Sequence, residues 1–177
     1  MEKKCCFTGY RPVKLKYLYN KDSVEYKKLY TLLQETIEEA VADGYNYFIS
    51  GFAMGVDLMA AEIVLQLKTA NAHIKLEAAL PCMNQTVSWS SVSQEKYFAL
   101  LDKADYRSCV HPKGMRESYL MRNRYMVENS DRVIAVYDGR KGGTSYTVDY
   151  ARKHKREVIV IDPQILEITE REYSLFK

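Results

Sequence analysis

Two glycine-bearing turns carry residue types that suit a phosphate group. The first contains Ser50, Gly51, Gly55 and Asp57, and it joins an apolar run to an apolar-periodic segment. Such a strand–turn–helix junction presents unpaired backbone N–H groups and the positive end of a helix dipole, which favour an anion. Glycine also lets the backbone approach a ligand closely, because it has no Cβ atom. This turn therefore predicts a nucleotide-type pocket.

Two interpretations of Asp57 remain open from the sequence. In the first turn of a helix its charge is favourable by about 0.3–1 kcal/mol without any further role. As a functional residue it would accept a hydrogen bond from a ribose hydroxyl or act as a general base. Its charge would also repel a nearby phosphate unless a cation lay between them.

The second turn combines Gly142, Gly143 and Thr144, directly preceded by Arg140 and Lys141. Two glycines, a hydroxyl and flanking cations at the start of a helix favour phosphate binding. No acidic residue follows in the first helical turn. We therefore assign the phosphate to this turn, and the wall facing a sugar or base to the turn at 50–57.

Three arginines can neutralise the charge of such a ligand. Arg11 follows Gly9 after the first apolar run, and its guanidinium can bind a phosphate or carboxylate through two hydrogen bonds. Arg122 and Arg124 are two residues apart on one helix, which places them roughly 200° apart around its axis. We expect one of these two to face the ligand and the other to face solvent.

Alternating apolar segments place these residues at one edge of a sheet. Apolar runs predict strands at 4–8, 47–50, 74–80, 105–110, 132–137 and 157–161. Segments between them predict helices at 24–42, 56–67, 91–103, 116–129 and 144–155. The alternation predicts an α/β fold, a Rossmann-like three-layer sandwich with a mostly parallel sheet of about six strands. Ligands bind such sheets at the carboxyl ends of the strands, where both glycine turns fall.

Composition restricts the class of protein. The 177 residues suffice for one domain, 1–177, with a buried core. A hydrophobic share of 47% and a charged share of 28% are typical of globular proteins, and no apolar run approaches the roughly 20 residues that span a membrane. Four cysteines without metal-ligand spacing predict a reducing, cytoplasmic setting, no disulfide framework and no metal site.

Tyrosine content keeps nucleic acid open as a partner. Fifteen tyrosines, several of them among lysines near the N-terminus, are compatible with bases stacking on the protein. The net charge of +3 is small for an extended nucleic-acid surface but not for a small basic pocket. Tyrosines that pack their rings and keep their hydroxyls wet explain the same composition.

Five motifs together resemble the YpsA-type branch of the SLOG superfamily. In chain order they are Cys6-Phe7-Thr8-Gly9-Tyr10-Arg11-Pro12, Ile49-Ser50-Gly51-x-Ala53-x-Gly55-Val56-Asp57, Pro81-Cys82-x-x-Gln85-x-x-x-Trp89, Met121-Arg122-Asn123-Arg124-Tyr125-Met126-Val127 and Gly142-Gly143-Thr144-x-x-Thr147-Val148-x-Tyr150-Ala151. The resemblance covers about 4–161 and implies a Rossmann-like fold with a nucleotide pocket at the strand ends. One departure is Tyr10, where this branch usually has histidine.

The LOG-type phosphoribohydrolases of this superfamily imply a hydrolytic alternative, cleavage of the N-glycosidic bond of a nucleoside monophosphate. They use an arginine in a Met-x-x-Arg-Lys helix and a glutamate in Gly-Gly-x-Gly-Thr-x-x-Glu. The resemblance places Arg124 at the arginine, followed by Tyr125 instead of lysine, and Asp149 at the glutamate, without the intervening Gly-Thr. In this alternative Arg124 stabilises the transition state, and Asp149, Asp57 or Glu62 serves as acid or base.

The DNA-processing relatives imply another alternative, a protein that binds single-stranded nucleic acid in a basic pocket. They share the motifs at 50–57 and 122–124.

The main hypothesis is a protein that binds or senses a nucleotide or nucleotide derivative, with no further cofactor. Its proposed ligand-binding residues are Gly9, Arg11, Ser50, Gly51, Gly55, Arg122, Gly142, Gly143 and Thr144. The resemblance also implies a homodimer.

Overall fold

One sheet runs through the residues that the computed structural model describes, 2–111 and 117–172. Its strands are β1 (Lys3–Gly9), β2 (Tyr45–Ser50), β3 (Lys75–Leu80), β4 (Tyr106–Cys109), β5 (Arg132–Val136), β6 (Glu157–Asp162) and β7 (Glu167–Glu172). Their spatial order is β4-β3-β2-β1-β5-β6-β7. All neighbouring strands pair in parallel except β6 and β7, which are antiparallel. The predicted Rossmann-like α/β fold is confirmed, with seven strands instead of six.

Helices connect the parallel strands. They are α1 (Val24–Ala42), α2 (Val56–Ala70), α3 (Ser91–Leu101), α4 (Ser118–Glu128) and α5 (Gly143–Lys153). A short 3-10 helix, Lys16–Tyr19, precedes α1. Each corresponds to a predicted helix except the 3-10 turn, and the predicted start of the fourth helix at Arg116 lies outside the described residues. Within those residues, no helix combines the length and the apolar character needed to cross a bilayer.

The first helix begins where a side chain caps it. Ser23 Oγ accepts a hydrogen bond from the Tyr26 N–H at 3.1 Å. This contact satisfies one of the backbone donors that the first helical turn leaves unpaired. At the other end Gly44 has a φ of +90°, a conformation that glycine adopts readily after a helix.

Apolar side chains fill both faces of the sheet. Helices α1, α2 and α3 cover one face, where Phe7 and Phe48 stack with their ring centroids 6.0 Å apart. Helices α4 and α5 cover the other face, where Met126 and Val148 are buried. The connections run outward from β1 to β4 and then return to β5, on the other side of β1. The carboxyl ends of β1 and β5 therefore flank the switch point at which such sheets bind ligands.

Strand β7 was not predicted from the sequence. Its side chains are mostly exposed and charged, and Ile168 is its one apolar residue. Ion pairs hold it to the helices on both faces, since Arg152 of α5 lies 3.1 Å from Glu172 and Arg171 lies 2.6 Å from Glu39 of α1. Because ion pairs and not an apolar face stabilise β7, its sequence lacks the apolar alternation by which a strand can be predicted.

Candidate functional site

A pocket of about 250 Å³ opens at the carboxyl end of β1, beside the start of α5. We call it the strand-end pocket. It is lined by the loop after β1, the turn before α2, and the amino-terminal parts of α4 and α5, including Gly9, Arg11, Lys14, Ala53, Asp57, Tyr119, Arg122, Asn123, Gly143 and Thr144. The topology places ligand sites at this position in doubly wound sheets.

A buried ion pair forms part of the strand-end pocket. Arg122 Nη1 lies 3.7 Å from Asp57 Oδ2, and the two side chains are only 5% and 7% exposed. Arg122 also donates from Nη1 to the Gly51 carbonyl and from Nε to Asn123 Oδ1, at 2.8 Å in the second case. Burial raises the pKa of the Asp57 carboxyl, and the neighbouring Arg122 opposes that rise. The pair therefore places a guanidinium in the pocket with much of its charge already balanced.

The glycine turn before α2 makes room for this arginine. A Cβ atom at Gly51 would lie 1.9 Å from Arg122 Nη1, so only glycine leaves space for the guanidinium. Ser50 is fully buried, and its hydroxyl donates to the Asp57 carbonyl at 2.8 Å and accepts from the Phe52 N–H at 3.2 Å. Ser50 and Gly51 were predicted to contact a ligand. The structure places them behind the pocket, where they position Asp57 and Arg122.

Two other glycines allow the loop after β1 to approach α2. Gly55 has a φ of +101°, and a Cβ atom there would lie 2.7 Å from the Tyr10 carbonyl oxygen. A Cβ atom at Gly9 would lie 2.5 Å from Val56 Cγ1. The same carbonyl of Tyr10 accepts a hydrogen bond from the Val56 N–H at 3.4 Å. Gly9 lines the strand-end pocket, whereas Gly55 lines a second cavity on the other side of this loop.

The start of α5 forms the opposite wall. Gly143 and Thr144 line the strand-end pocket, and the first N–H groups of a helix have no partner within it. The Gly142 N–H donates to Ser145 Oγ at 2.9 Å, and Gly142 caps the amino terminus of α5. Lys14 Nζ donates to a backbone carbonyl of the same turn at 3.1 Å. An anion at this wall would meet both a helix N-terminus and an ammonium group.

Tyr10, the departure from the family pattern, ties the loop after β1 to the loop after β5. Its hydroxyl donates to Asp138 Oδ1 at 2.6 Å, and Arg140 Nε donates to the two carboxylate oxygens of Asp138 at 3.0 and 2.9 Å. Burial acts to raise the pKa of Asp138, but these hydrogen bonds outweigh it and hold the pKa well below its usual range. Arg140 was expected beside the phosphate. It pairs with Asp138 and is absent from the described lining of the strand-end pocket, whereas Lys14 lines that pocket.

Three of the four residues predicted for hydrolysis lie outside the strand-end pocket. Arg124 is exposed on the outer side of α4. The side chain of Asp149 is 73% exposed on α5. Glu62 accepts a hydrogen bond from Lys96 Nζ at 2.6 Å in the second cavity. Asp57 is the fourth residue and lines the pocket, so of the three alternative acid–base residues only Asp57 lies among the described lining residues.

Several lining residues were not predicted. Tyr119 and Asn123 lie three positions before and one position after Arg122, a spacing that puts all three on one side of a helix. That spacing is the signal by which they could have been found. The guanidinium carbon of Arg11 lies 5.0 Å from the centre of the Tyr119 ring. Lys14 follows Arg11 in the same loop, and its sequence context is that of a surface lysine.

Comparison with known families identifies a match over most of the chain. Residues 5–167 match the family model YpsA, described as the YspA SLOG family. A UPF0398 protein of Halalkalibacterium halodurans is 29% identical over 168 residues, which are 90% of this chain and 88% of that protein. A UPF0398 protein of Bacillus thuringiensis (strain Al Hakam) is 28% identical over 153 residues, covering 85% of this chain and 83% of that protein.

Solved structures share the fold at low sequence identity. DNA processing protein A from Streptococcus pneumoniae is similar with a TM-score of 0.59 and 15% identity over 91% of this chain. The chain spans 50% of the length of that protein. DNA processing protein A from Helicobacter pylori, whose structure concerns its single-stranded DNA binding mode, is similar with a TM-score of 0.55 and 19% identity, covering 97% of this chain and 69% of that protein.

Proposed function

This chain belongs to the YpsA family of SLOG proteins, and we propose that it binds a nucleotide or a nucleotide derivative in the strand-end pocket. The observation that carries the proposal is a convergence of charge. Arg11, Lys14 and Arg122 line the same small pocket as the first turn of α5, and Asp57 is the one carboxylate among the described lining residues. Three cations against one carboxylate favour an anionic ligand.

The arrangement suggests how the ligand would be oriented. The phosphate would lie against Gly143 and Thr144, where the helix N-terminus and Lys14 both attract negative charge. The sugar would face Asp57, whose charge is offset by its ion pair. The base would lie toward Tyr119, whose ring already stacks with a guanidinium and offers a further aromatic surface.

Calorimetric titration with a panel of nucleoside mono-, di- and triphosphates tests this proposal. Lys14→Ala should weaken the binding of whichever nucleotide binds by roughly ten- to a hundredfold, since a charge-assisted contact contributes about 1.5–3 kcal/mol. Lys153→Ala is the matched control, because it removes the same charge at the opposite end of α5. Equal affinities for these two variants, or no binding by any member of the panel, would refute the proposal.

Single-stranded nucleic acid is a second candidate, favoured by a ladder of rings on α5. The Tyr146 and Tyr150 rings stack with their centroids 5.9 Å apart. The guanidinium carbon of Arg124 lies 5.6 Å from the centre of the Tyr146 ring and 5.8 Å from that of Tyr150. The His154 ring continues the ladder, 4.0 Å from that of Tyr150. The two tyrosines are half-buried and Arg124 is exposed. Aromatic and guanidinium groups that reach the surface stack on nucleic-acid bases in a sequence-tolerant way.

Fluorescence anisotropy with an oligothymidylate separates the two candidates. Binding at the ladder should weaken steeply with salt and should be lowered by Tyr150→Ala, since each stacked base contributes about 1–3 kcal/mol. Mononucleotide binding in the strand-end pocket should be unchanged by the same substitution. An oligonucleotide affinity that is undetectable, or insensitive to Tyr150→Ala, would remove this candidate.

A further inference from the structure

The second cavity is larger than the strand-end pocket. We call it the lateral cavity; its volume is about 540 Å³, against about 250 Å³ for the strand-end pocket. It lies between the loop after β1, α2 and α3. Pro12 and Gly55 line it, whereas Arg11, the residue before Pro12, lines the strand-end pocket. The two cavities therefore lie on opposite sides of the same loop.

Much of the lateral cavity is apolar. Leu18, Tyr26, Met59 and Leu100 are buried side chains that contribute to its wall. Val92 lies at its edge with 73% of its surface exposed. A concave apolar wall of this size accommodates an aromatic or aliphatic group of a small molecule.

A cluster of charged side chains also lines the lateral cavity. Lys96 Nζ lies 2.6 Å from Glu62 Oε2, and the two side chains are 31% and 27% exposed. Burial lowers the pKa of Lys96, Glu62 opposes this, and the neighbouring Lys21 lowers it further. Lys103 adds a third ammonium group. Among the described lining residues, three lysines face one carboxylate, so positive charge is left unbalanced beside an apolar wall.

We propose that the lateral cavity binds a small organic anion that has an aromatic or aliphatic body and one carboxylate, sulfonate or phosphate group. The apolar body fills the space beside Met59 and Leu100. The anionic group lies between Lys21 and Lys96, where it balances the charge that Glu62 leaves uncompensated. Because the Lys96 side chain is only 31% exposed, water screens its attraction less than it would at the open surface. The site is independent of the nucleotide proposed for the strand-end pocket.

A pair of fluorescent probes tests the proposal. Anilinonaphthalene sulfonate has an aromatic body and one anionic group, and N-phenylnaphthylamine has the same body without the sulfonate. Titration of the full chain should give one-to-one binding of the sulfonate and roughly tenfold weaker binding of the neutral probe. Lys96→Met should weaken the sulfonate by a similar factor, and Glu62→Gln should strengthen it, because a competing negative charge is removed.

Two further variants separate a local effect from a loss of folding. Lys153→Met removes a lysine far from the lateral cavity and should leave the affinity for the sulfonate unchanged. Ala99→Trp places a large side chain at an exposed lining position and should block the cavity while far-UV circular dichroism stays native. Equal affinities for the two probes, or equal affinities of Lys96→Met and Lys153→Met for the sulfonate, would overturn the proposal. So would undiminished binding by a folded Ala99→Trp variant.

Discussion

Replacing Arg122 with methionine should strongly destabilise the protein, because it leaves the Asp57 carboxylate buried without its cation. The two side chains are 5% and 7% exposed, so water cannot take the place of the guanidinium. The change also removes the donor to the Gly51 carbonyl. Removing one partner of a buried ion pair costs about 3–5 kcal/mol. At about 2–4 °C per kcal/mol for a chain of this size, the melting temperature should fall by roughly 6–20 °C.

The loss of stability caused by Arg122→Met should depend on pH. Burial already raises the pKa of Asp57 in the folded protein, and loss of Arg122 removes the cation that opposes this rise. A carboxyl whose folded-state pKa is raised favours folding when it is protonated, and this contribution is lost as the pH rises through that pKa. The Arg122→Met variant should therefore approach the stability of the unchanged protein as the pH is lowered.

Urea unfolding followed by Trp89 fluorescence and circular dichroism measures both effects. The set comprises the unchanged chain, Arg122→Met, Asp57→Asn and the double variant, each at about pH 7 and about pH 5. The double variant contains no buried charge at this place and should be more stable than Arg122→Met alone. A loss below about 1 kcal/mol for Arg122→Met, typical of a surface pair, would refute the reasoning. So would a loss that is the same at both pH values.

Three further substitutions have defined outcomes. Gly51→Ala should destabilise the protein by about 1–3 kcal/mol, because its Cβ atom would lie 1.9 Å from Arg122 Nη1. Thermal unfolding measures this loss, and Gly143→Ala is the control because the space around its Cβ position is open. Asp138→Asn should lower stability at neutral pH but not at strongly acidic pH: the folded-state pKa is depressed, so the contribution is present above the ordinary carboxyl pKa and lost as the pH falls. Equal losses at both pH values would contradict this. Ser23→Ala should cost about 0.5–2 kcal/mol in urea unfolding, and an unchanged midpoint would show that the cap is dispensable.

Much of the fold follows from local patterns in the sequence. The apolar runs and the helical spacing between them predicted six parallel strands and five helices, and the structure contains all of them. Helix α1 has the predicted bounds, because Ser23 caps its start and Gly44 follows its end. Strand β7 could not be predicted in this way, since ion pairs with distant residues stabilise it and Ile168 alone supplies an apolar side chain.

The site was less predictable than the fold, because the groups that glycine accommodates lie far away in the sequence. Gly51 predicted a close approach to the sugar or base of a ligand, whereas the group that approaches it is the side chain of Arg122, 71 residues later. Helical geometry predicted that Arg122 and Arg124 would face opposite sides. It did not predict which one faces inward, and the structure buries Arg122. Family resemblance alone had favoured Arg124 for a catalytic role.

The charged strand β7 gives the sheet an edge that resists growth. Edge strands expose unpaired N–H and C=O groups to which another chain can add, and charged side chains discourage that addition. Four of the six residues of β7 are charged, as read from Glu167, Glu170, Arg171 and Glu172. At the opposite edge, β4 has only four residues, among them the exposed Arg107. Both borders of the sheet, as far as the structure describes them, are thus poor templates for the addition of a strand from a second copy.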